Sequence, residues 1–187
     1  MDHYDENFSN TLFQTEQLQN GAYDGCTFQS CSFADKQFNH LEFLGCKFID
    51  CDFSQTKSVQ TAFKDALFIN CKLIGFDFSV CVDFLFQVKF ESSLLDYALF
   101  GQKNMKQTRF KACSVKEADF SGTNLSGAVF EQCDLTNTLF DNCNLEKADF
   151  RSARHFTIDP NRNRMKGARF SNFALAGLLR NYRLKID

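Results

Sequence analysis

Histidine occurs only three times in this 187-residue chain, proline once and tryptophan not at all. The histidines, His3, His40 and His155, form no metal-binding pair, and neither a glycine-rich phosphate loop nor a nucleophile elbow is present. These absences argue against an enzyme, and no catalytic residue, cofactor or metal is expected. His40 follows a core position and is expected to face solvent, whereas His155 occupies the core phase and reads as structural. No stretch approaches the eighteen apolar residues of a membrane span. The start, Met1 to Asn10, is acidic and polar, so a signal peptide is not expected and a cytoplasmic location is. The single proline lies in Ile158-Asp159-Pro160-Asn161, which reads as a turn.

What fills the chain is a five-residue period. A large apolar residue recurs from Phe13 through Leu18, Tyr23 and Phe28 to Phe78, with Ser58 the one polar miss. A second run follows, in which Phe90, Phe100, Phe110, Phe120, Phe130, Phe140 and Phe150 alternate with Leu95, Met105, Val115, Leu125, Leu135 and Leu145. Two residues earlier sits a small residue such as Cys26, Thr61, Ala118 or Cys133. Five matches neither the 3.6 period of a helix nor the 2 of a strand, so the chain must turn a corner at each repeat, as a solenoid does. Phe78 and Phe90 are twelve positions apart where ten would keep phase, so two residues are inserted within 79–89. Leu41, Phe76, Glu16, Lys36 and Lys103 at the small position are expected to bulge outward or distort the corner.

Eight of the nine cysteines fall on the small position and the ninth, Cys81, in the insertion. Their spacing is not that of a zinc site, and they read as buried, reduced thiols. The net charge of −2 hides an asymmetry: residues 1–150 carry 21 acids against 12 Lys and Arg, and residues 151–187 carry 2 against 9. The acids fall beside core positions and should point outward, among them Asp119, Glu131, Asp134, Asp141, Glu146 and Asp149. These are the candidate partner-binding face.

After Phe150 the repeat breaks. A loop over 151–166 is expected, then one restored repeat at Ala168-Arg169-Phe170, an apolar helix-like stretch and a strand-like Arg183-Leu184-Lys185-Ile186. The predicted organisation is therefore a solenoid over 1–170 and a capping segment over 171–187. An open coil end is an unpaired β edge that must be covered. This cap is more apolar than one coil end needs, so it is expected to join two chains through Phe173, Leu175, Leu178, Leu179, Tyr182, Leu184 and Ile186.

The triplets Ala118-Asp119-Phe120 and Ala148-Asp149-Phe150 resemble the pentapeptide-repeat family, and the resemblance covers residues 13–150. It implies an all-β fold, a right-handed quadrilateral β-helix with a short C-terminal helix and strand, in which four repeats make one turn. Side chains twenty apart should then stack, with Phe on two opposite faces in the second run and pairs such as Cys31 and Cys51 one strand spacing apart. The Ile-Asp-Pro turn, Lys166-Gly167-Ala168-Arg169-Phe170-Ser171 and the Leu-rich tail look like the topoisomerase-interacting branch, the quinolone-resistance proteins of the Qnr type and the albicidin- and microcin-immunity proteins. That implies a homodimeric DNA mimic that binds DNA gyrase or topoisomerase IV and confers antibiotic resistance. Unlike many Qnr proteins, this chain has no break before residue 150 long enough for an extended loop.

A rod of about 35–40 Å per chain would match duplex DNA carrying on the order of 22 charges, against a net nine here. Shape is thus mimicked better than charge density. The alternatives are a non-enzymatic scaffold with an unrelated partner, and a nucleic-acid binder using Arg151, Arg154, Arg162, Arg164, Lys166 and Arg169. Direct nucleic-acid binding is not expected beside so acidic a rod.

Overall fold

The computed structural model describes residues 2–13, 21–182 and 184. The chain winds as a four-sided parallel β-solenoid, each coil of twenty residues lying in register on the one before, so that Phe28 pairs with Phe48 and Phe48 with Phe68. One wall is a seven-stranded parallel sheet of Asn7–Ser9, Thr27–Gln29, Lys47–Ile49, Ala66–Ile69, Val88–Glu91, Arg109–Lys111 and Val129–Glu131. Isolated bridges carry this wall on through Asp149 to Arg169. In the second run the other corners are tight turns, with Thr123 donating its amide to the Phe120 carbonyl (2.9 Å) and Ala98 to Leu95 (3.1 Å). The residue before each donor sits at positive φ, Gly122 at 70° and Tyr97 at 61°. These are type II turns, whose geometry suits Gly122, Gly127 and Asn137 at such corners.

The large side chains fill the bore. Phe100 stacks on Phe120 at 4.7 Å and 3°, and Phe110 on Phe130 at 4.7 Å and 4°. Rings from opposite walls meet edge to face, as Phe110 and Phe120 do at 88°.

The oversized residues at the small position do not bulge. Leu41, Phe76 and Lys103 are all buried, and Lys36 is half-buried; Glu16 and Leu18 lie outside the described residues. Phe76 goes inward because Ser58 leaves a ring slot empty on the preceding coil. Its ring reaches both rings flanking Ser58, Phe53 at 5.9 Å and Phe63 at 6.2 Å. The Ser58 hydroxyl, now buried, donates to the Asp77 carbonyl at 2.8 Å. The serine that broke the sequence pattern and the phenylalanine at the wrong phase are thus one compensated substitution.

The inserted pair is confined to a bulge. Val82 still donates to the Thr61 carbonyl (2.9 Å) in the old register, while Val88 pairs with Ala66 in the new one. Cys81 therefore lies ahead of the extra residues, at a regular inward position.

Residues 151–166 close a further coil rather than forming a loop. Arg154 bridges Asp134, Arg164 bridges Asn144 and Arg169 bridges Asp149. His155 is not a core residue: it turns outward at φ 60°, and Phe156 and Ile158 take the interior. The core place moves by one residue here only, since Arg154 and Arg164 keep the twenty-residue register on either side. Phe170 then stacks on Phe150 at 5.2 Å. Beyond it come a 3₁₀ turn at Asn172–Ala174, capped by the Ser171 hydroxyl, a short helix α1 at Ala176–Leu179, and a second 3₁₀ turn at Arg180–Tyr182. Gly177 lets this cap close on the coil, since a Cβ there would stand 2.4 Å from the Phe156 carbonyl oxygen. The expected strand over Arg183–Ile186 lies outside the described residues, apart from Leu184.

Candidate interaction surface

Among the described residues no cluster of His, Cys, Asp and Glu could hold a metal ion, and no helix is long and apolar enough to cross a membrane. The nine cysteines are free and buried. Burial pushes the Cys46 and Cys81 thiols up to about 12 and Cys143 to about 11. Neighbouring thiols and burial raise Cys71 and Cys133 as well. Such thiols act as small packing groups that donate to carbonyls, as Cys71 Sγ does to Phe48 O at 3.3 Å. His40 sits at an exposed corner with φ 53°.

The six acids singled out above do not share a face. Glu131 and Asp149 lie on the seven-stranded wall and its extension, Asp119 and Asp141 flank Phe120 and Phe140 on the opposite wall, and Asp134 and Glu146 occupy the two remaining walls. The quadrilateral winding, which puts sequence neighbours on different walls, distributes them. Five of the six are also engaged within the chain. Arg109 pairs with Glu131, Arg162 with Asp141 (2.5 Å), Arg164 with Glu146 (3.1 Å), Arg151 and Arg169 with Asp149, and Lys116 and His155 with Asp134. Of the tail cations considered for a basic patch, Arg162, Arg164 and Arg169 brace the coil before them and Arg151 pairs within its own. Burial disfavours ionisation of Asp134, but hydrogen bonds from Thr136 and the His155 contact outweigh it and hold its pKa at about 2. The Arg151 guanidinium keeps Asp149 below the usual carboxylate range.

Asp119 has no ion-pair partner among the described residues, and the same holds for Asp77, Asp96 and Glu117. Asp77 and Asp119 flank Leu99 in one ladder, and Asp96 receives the Lys116 amide at 2.9 Å on the adjoining wall. This uncompensated acidic strip runs along mid-rod, not at the C-terminal end. At that end the cap leaves Phe173 fully exposed and Leu175, Leu179, Tyr182 and Leu184 also exposed, while Leu178 packs back against the core. Ile186 lies outside the described residues. A further surface feature, unread from sequence, is the bulge itself, which exposes Phe84 and Leu85. Its one signal was the two-residue phase slip.

Two sequence profiles match the chain: that of a pentapeptide repeat region over residues 22–100, and that of pentapeptide repeats over 89–127 and 118–154. No curated protein matches it significantly in sequence. Among solved structures, a trypsin-treated variant of QnrB1, a plasmid-mediated fluoroquinolone resistance protein, superposes with a TM-score of 0.58 at 16% identity, covering 100% of both chains. Full-length QnrB1 gives a TM-score of 0.55 at 15% identity over 98% of this chain and 100% of its own. These likenesses concern the fold. Repeat pattern, coil geometry and profile matches together identify the chain as a member of the pentapeptide-repeat family.

Proposed function

We propose that this chain is a DNA-mimicking rod that binds a type II topoisomerase, DNA gyrase or topoisomerase IV, and modulates the enzyme or protects it from quinolone-like poisons. It acts as a cytoplasmic homodimer joined through its C-terminal cap. The observation that supports this reading best is the end-to-end likeness, cap included, to a fluoroquinolone resistance protein. A four-sided rod with acids left unpaired along one edge supports this reading, as a shape that could enter an enzyme's DNA-holding groove. Binding through those acids weakens as salt screens them. A non-enzymatic scaffold with an unrelated partner is the second reading, favoured by the internal pairing of five of the six acids first selected.

The test is gyrase supercoiling at rising protein concentration, with and without a fluoroquinolone. Asp134, Asp141 and Asp149 make poor targets, because their reversal would also unbrace the coils. Asp77→Asn, Glu117→Gln and Asp119→Asn together remove charge with little distortion: at the equivalent position of another repeat, Asn124 accepts the Ser126 amide just as Asp119 accepts that of Ser121. The wild type should inhibit or rescue the enzyme and the triple variant should do so much less. No effect of the wild type refutes the topoisomerase reading and leaves the scaffold.

A further inference from the structure

The bulge is built more firmly than a tolerated insertion requires. It exposes Phe84 at 69% and Leu85 at 63%, with Val80 at 46% beside them. Leu85 takes the left-handed corner conformation common to the repeats, φ 58°, with a bulky side chain. Its foot is fixed by Phe86, which is buried against Phe78 at 6.2 Å and donates its amide to the Asp83 carbonyl at 3.1 Å. One coil later, at a position filled by Leu41, Thr61, Cys81, Thr123 and Cys143 in other coils, stands Lys103, only 3% exposed. Its Nζ donates to the Cys81 carbonyl at 2.6 Å and to Asp83 Oδ1 at 2.5 Å, and lies 5.6 Å from the Phe86 ring centre. Burying an ammonium is unfavourable unless every donor is engaged. Here the engagement ties both ends of the bulge, so its apolar tip is presented in one conformation.

Beside the bulge a cleft of about 480 Å³ opens over Gly101, bounded by Ser79, Asp83, Asp119 and Ser121. The Asp83 side chain is 82% exposed despite its bond to Lys103, and Asp119 has no cationic partner among the described residues. Lys64 Nζ stands 5.7 Å from the Phe84 ring centre. Lys103, whose charge is taken up by Asp83, also lines the cleft, so the carboxylate left open there is that of Asp119. An exposed aromatic beside such a group matches the composition of interface hot spots.

We propose that the Phe84–Leu85 bulge and the adjoining acidic cleft form a mid-rod docking site for a protein surface that offers an apolar pocket flanked by lysine or arginine. Lys103 is a positioning residue for that site, not a contact. The open Asp119 carboxylate and the exposed Asp83 disfavour a nucleic-acid backbone in the cleft. The identity of the partner rests on the topoisomerase reading above.

The experiment is binding of the full chain to purified gyrase holoenzyme by surface plasmon resonance. The variants are Phe84→Ser with Leu85→Asn, Asp119→Asn, and Lys103→Thr, with Leu44→Ser as an exposed apolar control elsewhere on the rod. Expected are at least tenfold weaker binding for the bulge double variant and a loss of several-fold for Asp119→Asn. Lys103→Thr should weaken binding several-fold with faster amide hydrogen exchange at residues 83–87, and Leu44→Ser should leave it within twofold. Asn suits the left-handed position of Leu85, so circular dichroism and melting should show the double variant folded. Wild-type binding that survives the double variant overturns the docking site while leaving the topoisomerase reading intact. No binding by the wild type overturns both. Capture of linear duplex DNA that is lost in the same variant overturns the assignment of a protein occupant.

Discussion

The two halves of the rod solve the same packing problem with different side chains. In the first run nearly every core position is Phe, so rings on adjacent walls must meet at steep angles, Phe28 with Phe33 at 67° and Phe43 with Phe48 at 75°. Their stacks along the axis are tilted, by 12° for Phe48 on Phe68 and 23° for Phe33 on Phe53. In the second run Leu, Val and Met separate the phenylalanines, and from Phe100 on the stacks flatten to 3–8°, with Phe90 on Phe110 still at 16° next to the bulge. Four rings per coil crowd one another out of parallel; two opposite rings with aliphatic spacers relax to the offset geometry that their quadrupoles favour. The crowded half is also where the compensated Ser58 and Phe76 occur. A bore full of rings tolerates a misplaced one if a neighbouring slot is empty.

The largest effect expected is in the ordered half. Phe120→Ala removes a ring held between Phe100 and Phe140, with no adjacent ring free to move in, and should cost about 3–5 kcal/mol in chemical denaturation. An unchanged denaturation midpoint would contradict the stack.

In the crowded half the expected signature is coupling rather than size. Phe76→Ala should cost about 3 kcal/mol, yet in a Ser58→Phe background much less, because the new ring refills the slot. Additive losses in the double-mutant cycle would break the account of compensation.

Acid should reach the halves unequally. Asp134, in the second half, titrates lower in the folded chain, at about 2, than in an unfolded one. Its contribution is therefore fully present above the unfolded value near 3.9 and disappears as pH falls toward 2. Melting temperature followed from pH 5 to pH 2 should drop less steeply for Asp134→Asn than for the wild type.

The smallest stability change belongs to the cap. Phe173→Ser alters a side chain that touches nothing in the single chain and should shift stability by less than about 0.5 kcal/mol. On the proposed cap-to-cap homodimer, light scattering should nonetheless report monomers in place of dimers. Gly177→Ala, which must push against Phe156, should by contrast loosen the cap and lower the melting temperature.

The five-residue period made the solenoid legible because burial in a narrow bore imposes the same demand at every corner, and each corner leaves its own mark in the chain. Where that demand was met by exchange between coils, reading failed. Ser58 looked like a defect and Phe76 like a bulge because their compensation joins residues eighteen positions apart. Lys103 looked like an outward charge because its partners, Cys81 and Asp83, come close only after the chain has turned once. His155 stood in the core phase, and a one-residue slip handed its place to Phe156.

The acids draw the same line. That Asp119, Glu131, Asp134, Asp141, Glu146 and Asp149 point outward was fixed by local alternation with the core residues. Which of them retain an uncompensated charge was decided by the walls they fall on and by the cations one coil away, as with Arg162 on Asp141 and Arg164 on Glu146. The sequence by itself determined the period, the inward and outward assignment of the regular repeats and the span, 79–89, that holds the phase slip, since each is marked by residues close together in the chain. Tertiary structure alone decided which slots were refilled, which charges were spent and which apolar side chains stayed in water, since each depends on contacts across a coil that have no fixed separation in the chain.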